Sequence, residues 1–347
     1  MSINYSILIP TLNEELYIKS CLLSLVEKNN LIRNCEILII DGGSKDKTIE
    51  IIEHLKSKYK NIHILHNSKK ITPCALNIGI NASKGKYIIR LDAHAEYCQN
   101  YIDKTINYLD KSDNKVLNIG GYIETKNKKN SLLAISISRV LSSVFGVGNS
   151  RFRIQKPTKP LYVDTVPFGG FKKEAFLKLG LFDETEPRNE DLEFNNRIRN
   201  AGYKIMMQPD LSSIYYSRND LKSFLNQAFD NGYIVTKNII RGKIFHNIRH
   251  YVPLVFSIFI ITTILTNLFF KDNVLQDYLN FVLVIYISLS LIFSIINSIT
   301  SSKILLLFIM PFMYFILHFC CASAGVFNIV DHIIIKEGII CWVKISG

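Results

Sequence analysis

"IIRLDAHAEY" (residues 88–97) is an apolar run that stops at Asp92 and sets a histidine, His94, two positions later. Ile88 to Leu91 have the character of a buried strand, with Arg90 its one charged interruption. In an open α/β sheet, ligands collect beyond the carboxyl ends of the strands. A carboxylate and an imidazole at such an end can grip a metal, form a buried hydrogen-bonded pair, or cap a turn.

The residues on the amino-terminal side supply the rest of such a sheet. "YSILIP" (5–10) reads as a strand, and Asn13 opens a helix through about Lys28. "EILIID" (36–41) is a second strand, with Ser44 the N-cap of a helix down to Lys58. "NIHILH" (61–66) is a third, followed by a helix from about Pro73 to Ala82, and "KYIIRLD" (86–92) is the fourth. Strands alternating with helical patterns predict a mostly parallel, Rossmann-like α/β sheet with helices on both faces. Asn13, Asp41 and Asp92, which end or follow these runs, then fall on one rim.

From Tyr251 the composition changes. Residues 251–270, about 278–300 and about 304–330 are nearly free of charge. Each is long enough to cross a hydrocarbon layer of about 30 Å, so three transmembrane helices are expected. The segment 231–250 holds Lys237, Arg241, Lys243 and Arg249 and no acid, whereas "KDNVLQD" after the first span is net acidic. The positive side is the cytoplasmic side, and no signal peptide is apparent before the first strand. The sequence therefore divides into a catalytic-type α/β domain (1–235), a basic juxtamembrane segment (236–250), three spans (251–330) and a tail (331–347), outside or interfacial. Asn297 and His318, within the spans, read as helix–helix hydrogen-bonding groups before a role towards a lipid.

The net charge is +12, and the excess sits entirely in residues 1–250, since the four lysines after Tyr251 are balanced by four acids. No arginine-rich stripe accompanies it, so nucleic acid is not the expected partner. A membrane surface or a phosphorylated substrate suits this balance. Seven scattered cysteines without CxxC spacing read as reduced thiols and not as a zinc site. There is no GxGxxG after the first strand and no GxxxxGK[ST], which removes dinucleotide and P-loop readings.

"ILIPTLNEE" (7–15), "EILIIDGGSKDKT" (36–48), "ALNIGINASKGKYIIRLDAHAEY" (75–97), "VPFGGFKKEAF" (166–176) and "GLFDETEPRNEDLEFNNRIRNAG" (180–202) occur in that order. Together they resemble family 2 glycosyltransferases of the GT-A fold, in particular the membrane-anchored succinoglycan type whose metal motif reads DAH. The resemblance spans roughly residues 5–235. It implies a nucleoside-diphosphate sugar donor and a divalent cation, Mn²⁺ or Mg²⁺, held by Asp92 and His94, the nitrogen ligand favouring Mn²⁺. The cation would neutralise charge on the departing diphosphate.

By the same resemblance, Asp41 reads the nucleobase or ribose; it also suits a helix-initiating turn with Gly42, Gly43 and Ser44, and both roles can hold at once. Thr11, Glu14 and Asn77 are nucleotide-side residues, and Arg90 is aimed at the diphosphate or at a nearby carboxylate. Gln227 lies over the donor. Phe168, Gly169 and Gly170 approach the sugar, and the Gly-rich "FGVGNSRF" (145–152) is an acceptor-side loop. Asp191 is the base that takes the acceptor proton, and Glu190 positions the acceptor. The plain alternative for "NED" (189–191) is an N-cap with acids that suit the helix dipole. At Leu76 this chain departs from the arginine many members carry, and the QxxRW of processive synthases is missing.

The implied activity is inverting transfer of one sugar to a lipid-linked saccharide at the cytoplasmic face of the cell membrane, in surface polysaccharide or glycan assembly. The rivals are a polyprenyl-phosphate glycosyltransferase and a catalytically silent nucleotide-sugar-binding subunit.

Overall fold

In the first strand, β1 (Tyr5–Thr11), Ile7 and Ile9 enter one apolar layer and Leu8 the other. This period of two, buried on both faces, is what a central parallel strand requires. The computed structural model describes residues 4–29, 34–242, 248–269 and 274–336. After β1 come α1 (Ile18–Val26), β2 (Cys35–Asp41), α2 (Thr48–Lys58), β3 (Ile62–His66), α3 (Thr72–Ala82), β4 (Tyr87–Arg90) and β5 (Ala95–Tyr97). Next are α4 (Tyr101–Lys111), β6 (Val116–Lys126), α5 (Leu132–Leu141), α6 (Val144–Val147), α7 (Arg151–Ile154), β7 (Leu161–Tyr162) and β8 (Gly170–Lys172). Then follow α8 (Glu174–Leu179), α9 (Glu190–Asn200), β9 (Lys204–Tyr216), α10 (Leu221–Ile240), α11 (Val252–Phe269), α12 (Val274–Ser301) and α13 (Leu306–Lys336).

The sheet runs β3-β2-β1-β4-β8-β6-β9-β5, with β7 on β9. The β3-β2-β1-β4 half is parallel, as is β6 with β9, while β8 joins β4 and β6 antiparallel. Parallel register sets Thr11 opposite Asp41. One layer packs α1 residues Ile18, Cys21, Leu22 and Leu25 under Ile7, Ile9, Ile37 and Ile89. The opposite layer joins Leu8, Leu38 and Ile88 to Leu76 and Ile80 of α3 and to Phe194 and Ile198 of α9. Phe194 stacks on Phe176 at 4.8 Å and meets Phe171 and Phe182, so an aromatic group fixes α9 and the acids that begin it.

Two local expectations change. The first helix begins at Ile18, not at Asn13, because Asn13 takes a left-handed φ of 55° and is used in a turn. Its N–H donates to Ser44 Oγ (2.9 Å), and its Oδ1 accepts the Lys45 N–H (2.8 Å). Ser44 is thereby occupied and does not cap α2, which starts at Thr48. The loops after β1 and β2 clasp one another and stiffen the rim.

The chain forms two compact units, residues 1–126 with 150–216, and residues 127–149 with 217–347. This division differs from a boundary at residue 235, because α5 and α10 are apolar towards the long helices. Ile135, Ile137, Val140, Phe224 and Ala228 share a cluster with Met310, Met313, Tyr314 and Leu317. A Cβ at Gly232 of α10 would lie 2.1 Å from the Cys321 carbonyl, so glycine permits that close helix contact.

In this second unit, Val252–Phe269, Val274–Ser301 and Leu306–His332 have mean hydropathy of 2.1, 2.5 and 2.0. Most of their apolar side chains are exposed. These three helices are long and apolar enough to cross a membrane, and they leave many large apolar side chains exposed along their length. Asn297 donates to the Tyr314 hydroxyl (3.0 Å), and Tyr286 and His318 meet at 2.9 Å, so both intramembrane polar groups bond between α12 and α13. Of the basic segment, Arg249 donates to the Asn149 carbonyl (2.7 Å), while 243–247 and the tail 337–347 lie outside the described residues.

Candidate active site

Arg90, the one charge in its strand, is buried and touches three carboxylates. Its Nη2 lies 3.0 Å from Asp92 Oδ1 and 2.7 Å from Glu190 Oε1, and its Nη1 lies 3.1 Å from Asp191 Oδ2. Of the two roles expected for it, the carboxylate one is realised. A guanidinium is suited to this because its planar fork serves several oxygens at once. Arg90 thus ties the acid after β4 to the acids that open α9. Its guanidinium also faces the Phe168 ring at 5.8 Å.

Asp92 is fixed through its backbone. Its N–H donates to Tyr97 Oη (2.8 Å), and the Tyr97 hydroxyl donates to its carbonyl (3.1 Å). Beside it, His94 Nε2 stands 3.9 Å from Asp92 Oδ2, and His94 Nδ1 stands 3.0 Å from Glu14 Oε1. Glu14 is therefore spent on the histidine, a use not expected from sequence. Burial opposes the charge on His94, yet the Glu14 hydrogen bond and the Asp92 charge outweigh it and raise its pKa to about 9. The ring edges meet Tyr215 at 5.4 Å and Tyr17 at 6.4 Å.

Asp191 responds to the same surroundings in the opposite sense. Burial raises its pKa, Arg90 pulls it down, and Glu190 and Asp92 push it up again, to about 7. A carboxyl that titrates near neutrality is suited to accepting a proton. Asn189, at the head of α9, has a left-handed φ of 60° and makes no side-chain cap, so "NED" does not serve as an ordinary N-cap.

The donor set fits a divalent cation. Asp92 offers a carboxylate oxygen and His94 Nε2 an imidazole nitrogen, with the other ring nitrogen held by a carboxylate, as metal-binding histidines require. Four carboxylates (Glu14, Asp92, Glu190 and Asp191) meet only Arg90 and His94, leaving an excess of negative charge that a cation would balance. Among the described residues no closed cage of three or more His, Cys, Asp or Glu side chains occurs.

Other expected residues have different employment. Asp41 accepts the Gly43 and Ser44 N–H groups (2.7 and 3.0 Å) and the Ser44 hydroxyl (2.5 Å), so it builds the turn after β2. The Thr11 hydroxyl donates to the Ile9 carbonyl (3.1 Å). Asn77 bonds Phe182 through both its N–H and carbonyl (3.0 and 2.9 Å) and Glu184 (3.1 Å), pinning the 180–184 loop. Lys69, 2.6 Å from Glu184, holds that carboxyl down to about 2.

Phe168 is buried, at a φ of 55° that is unusual for an aromatic residue, and its carbonyl accepts the Tyr101 hydroxyl (2.8 Å). Its ring supports Arg90 from inside and is not presented to a sugar. A Cβ at Gly169 would fall 2.1 Å from Asn118 Oδ1, and one at Gly170 2.4 Å from Thr105 Cγ2. Internal packing thus accounts for both glycines. Gln227 belongs to the second unit, on α10.

The sequence profile described as Glycosyl transferase family 2 matches residues 6–180. The chain belongs to that family. This family 2 glycosyltransferase is 30% identical over 330 residues to a Methanococcus voltae protein, covering 93% of this chain and 96% of that one. That relative is named dolichyl N-acetyl-alpha-D-glucosaminyl phosphate 3-beta-D-2,3-diacetamido-2,3-dideoxy-beta-D-glucuronosyltransferase. The succinoglycan biosynthesis protein ExoA of Rhizobium meliloti is 28% identical over 269 residues, 72% of this chain and 74% of that one. Among solved structures, the mannosyltransferase PcManGT of Pyrobaculum calidifontis, in complex with GDP-Man and Mn²⁺, superposes with a TM-score of 0.63. It is 13% identical and the match covers 94% of this chain and 87% of that one, so it shows a shared GT-A fold.

Proposed function

We propose that this glycosyltransferase moves one sugar, with inversion, from a nucleoside-diphosphate donor to a lipid-linked saccharide during surface glycan assembly. The observation that carries this reading is the Arg90 cluster, which joins the cation-side Asp92 to the base-side Asp191 within one buried network. The Methanococcus relative's name, with its dolichyl-phosphate-linked sugar, supports a lipid-linked acceptor, and the succinoglycan biosynthesis name of ExoA supports glycan assembly. Three membrane helices in the same chain suit an acceptor that resides in the bilayer.

Asp191 accepts the acceptor hydroxyl proton as that oxygen attacks the anomeric carbon from the face opposite the diphosphate. The bond from the anomeric carbon to the phosphate oxygen breaks, and the diphosphate departs with its electron pair. A divalent cation held by Asp92 and His94, Mn²⁺ by preference, supplies the charge that stabilises this leaving group. Glu190 and Arg90 keep the base oriented, while Asp41 and Thr11, opposite one another at the ends of β1 and β2, are the donor-side residues of the first unit. The basic residues Lys237, Arg241, Lys243 and Arg249 favour a catalytic unit on the cytoplasmic side of the cell membrane.

The test is transfer or hydrolysis by the full-length protein in detergent, using a panel of nucleotide sugars with and without Mn²⁺. Cation-dependent release of a nucleoside diphosphate from one donor is expected. Absence of binding, hydrolysis and transfer across the panel would return the chain to the silent-subunit reading.

A further inference from the structure

Arg90, buried, and Arg153, part-buried, belong to the first unit and are paired very differently. Arg90 is paired through both Nη atoms with three carboxylates. Arg153, on α7, has no carboxylate partner among the described residues. Its Nη1 donates to Thr125 Oγ1 (3.2 Å), and its guanidinium lies 5.0 Å from the Tyr215 ring and 5.4 Å from the Phe152 ring. Stacking on rings uses the faces of the group and leaves its N–H edge available. A desolvated cation without a counter-ion is costly, and such a group is stabilised when an anion arrives. Burial lowers the Arg153 pKa, while Tyr215 and the charge on Asp92 act in the opposite direction.

Its position relates it to the reaction. Tyr215 contacts both groups, its ring 5.0 Å from the Arg153 guanidinium and 5.4 Å from the His94 imidazole. Arg153 is therefore one aromatic ring away from the Asp92–His94 pair, where the resting charge is negative and a phosphate needs a second cation. Arg90 already shares its charge among three carboxylates, and Leu76 is buried in an apolar layer. We infer that Arg153 is a phosphate-binding residue of this site, taking either the donor diphosphate or the phosphate of the lipid-linked acceptor. This rests on the transferase reading and adds to it a residue that neither motif nor spacing revealed.

Calorimetric titration of the full-length protein in detergent, with Mn²⁺ present, separates the two sources. Inorganic pyrophosphate probes the donor side, and a short-chain polyprenyl phosphate probes the acceptor side. Arg153→Gln is expected to weaken one of the two probes by about tenfold or more, the loss of one charge-assisted fork. Arg153→Lys should recover part of it. Weakened pyrophosphate binding assigns the donor, and weakened polyprenyl phosphate binding assigns the acceptor. Arg153→Met, which keeps apolar contact with both rings, carries the same test should the glutamine variant fail to fold. Unchanged affinity for both probes, in a protein that still transfers sugar, overturns the Arg153 role and spares the transferase reading. A wild type that takes up neither probe nor any nucleotide sugar overturns both.

Discussion

Glu14 Oε1 lies 3.0 Å from His94 Nδ1, across 80 residues of sequence, and so determines which ring nitrogen faces Asp92. The contact links the loop after β1 to the turn after β4. It makes the orientation of the proposed cation-binding imidazole depend on Glu14.

Removing either member should therefore act on the cation first. Glu14→Ala is expected to raise the Mn²⁺ concentration for half-maximal activity by about 10- to 100-fold, with saturating Mn²⁺ restoring part of the rate. His94→Ala should do the same more strongly, and His94→Asp should move preference from Mn²⁺ towards Mg²⁺. Metal titrations of activity decide this, and superimposable curves for all variants would leave His94 as a structural residue.

Arg90→Met removes the shared cation from Asp92, Glu190 and Asp191. Breaking a buried pair from one side costs about 3–5 kcal/mol, so a large fall in thermal midpoint in detergent is expected along with loss of transfer. A midpoint within a degree of wild type would mean that the three acids do not depend on Arg90.

Asp191→Asn should lower turnover by about 10²-fold or more, the usual contribution of a general base, with donor binding nearly unchanged. Turnover by the wild type should rise with pH through the Asp191 value near 7, because only the ionised carboxylate accepts a proton. Stability moves the other way. A carboxyl raised in the folded protein from 3.8 stabilises it fully below that value, and the contribution fades as pH climbs through about 7. Paired pH profiles of rate and thermal midpoint test both signs, and the asparagine variant should lose this part of the stability profile.

Asn77→Ala distinguishes a nucleotide contact from a structural one. Three hydrogen bonds to Phe182 and Glu184 predict a cost of about 1–3 kcal/mol in stability, with the donor KM little altered. A donor KM raised at unchanged stability would restore the nucleotide role.

Topology can be read by labelling. A cysteine at Asp277, an exposed residue at the start of α12, should react with an impermeant maleimide from outside intact cells. One at exposed Glu53 should react only after lysis. The reverse pattern, above the wild-type background, would invert the orientation drawn from the basic residues. Retention in the membrane fraction after carbonate washing is expected in either case.

Alternating strand and helix patterns were enough to predict the α/β class, the rim on which Asp41 and Asp92 fall, and three spans of the right length. Each of these depends on periodicity or composition within a short window, and local side-chain chemistry sets both. The two-unit division was not legible, because the apolar stripe of α5 shows that the helix needs a partner without saying which. The site was legible only as a set of residue types. Arg90 meets Glu190 100 residues away, and Asn77 meets Glu184 107 residues away. Asp41 and the glycines at 169 and 170 proved to be bound up with turns and packing. Arg153 gave no signal at all. Such pairings are decided by sheet register and by how α9 docks through its phenylalanines, and these exist only once the chain has folded.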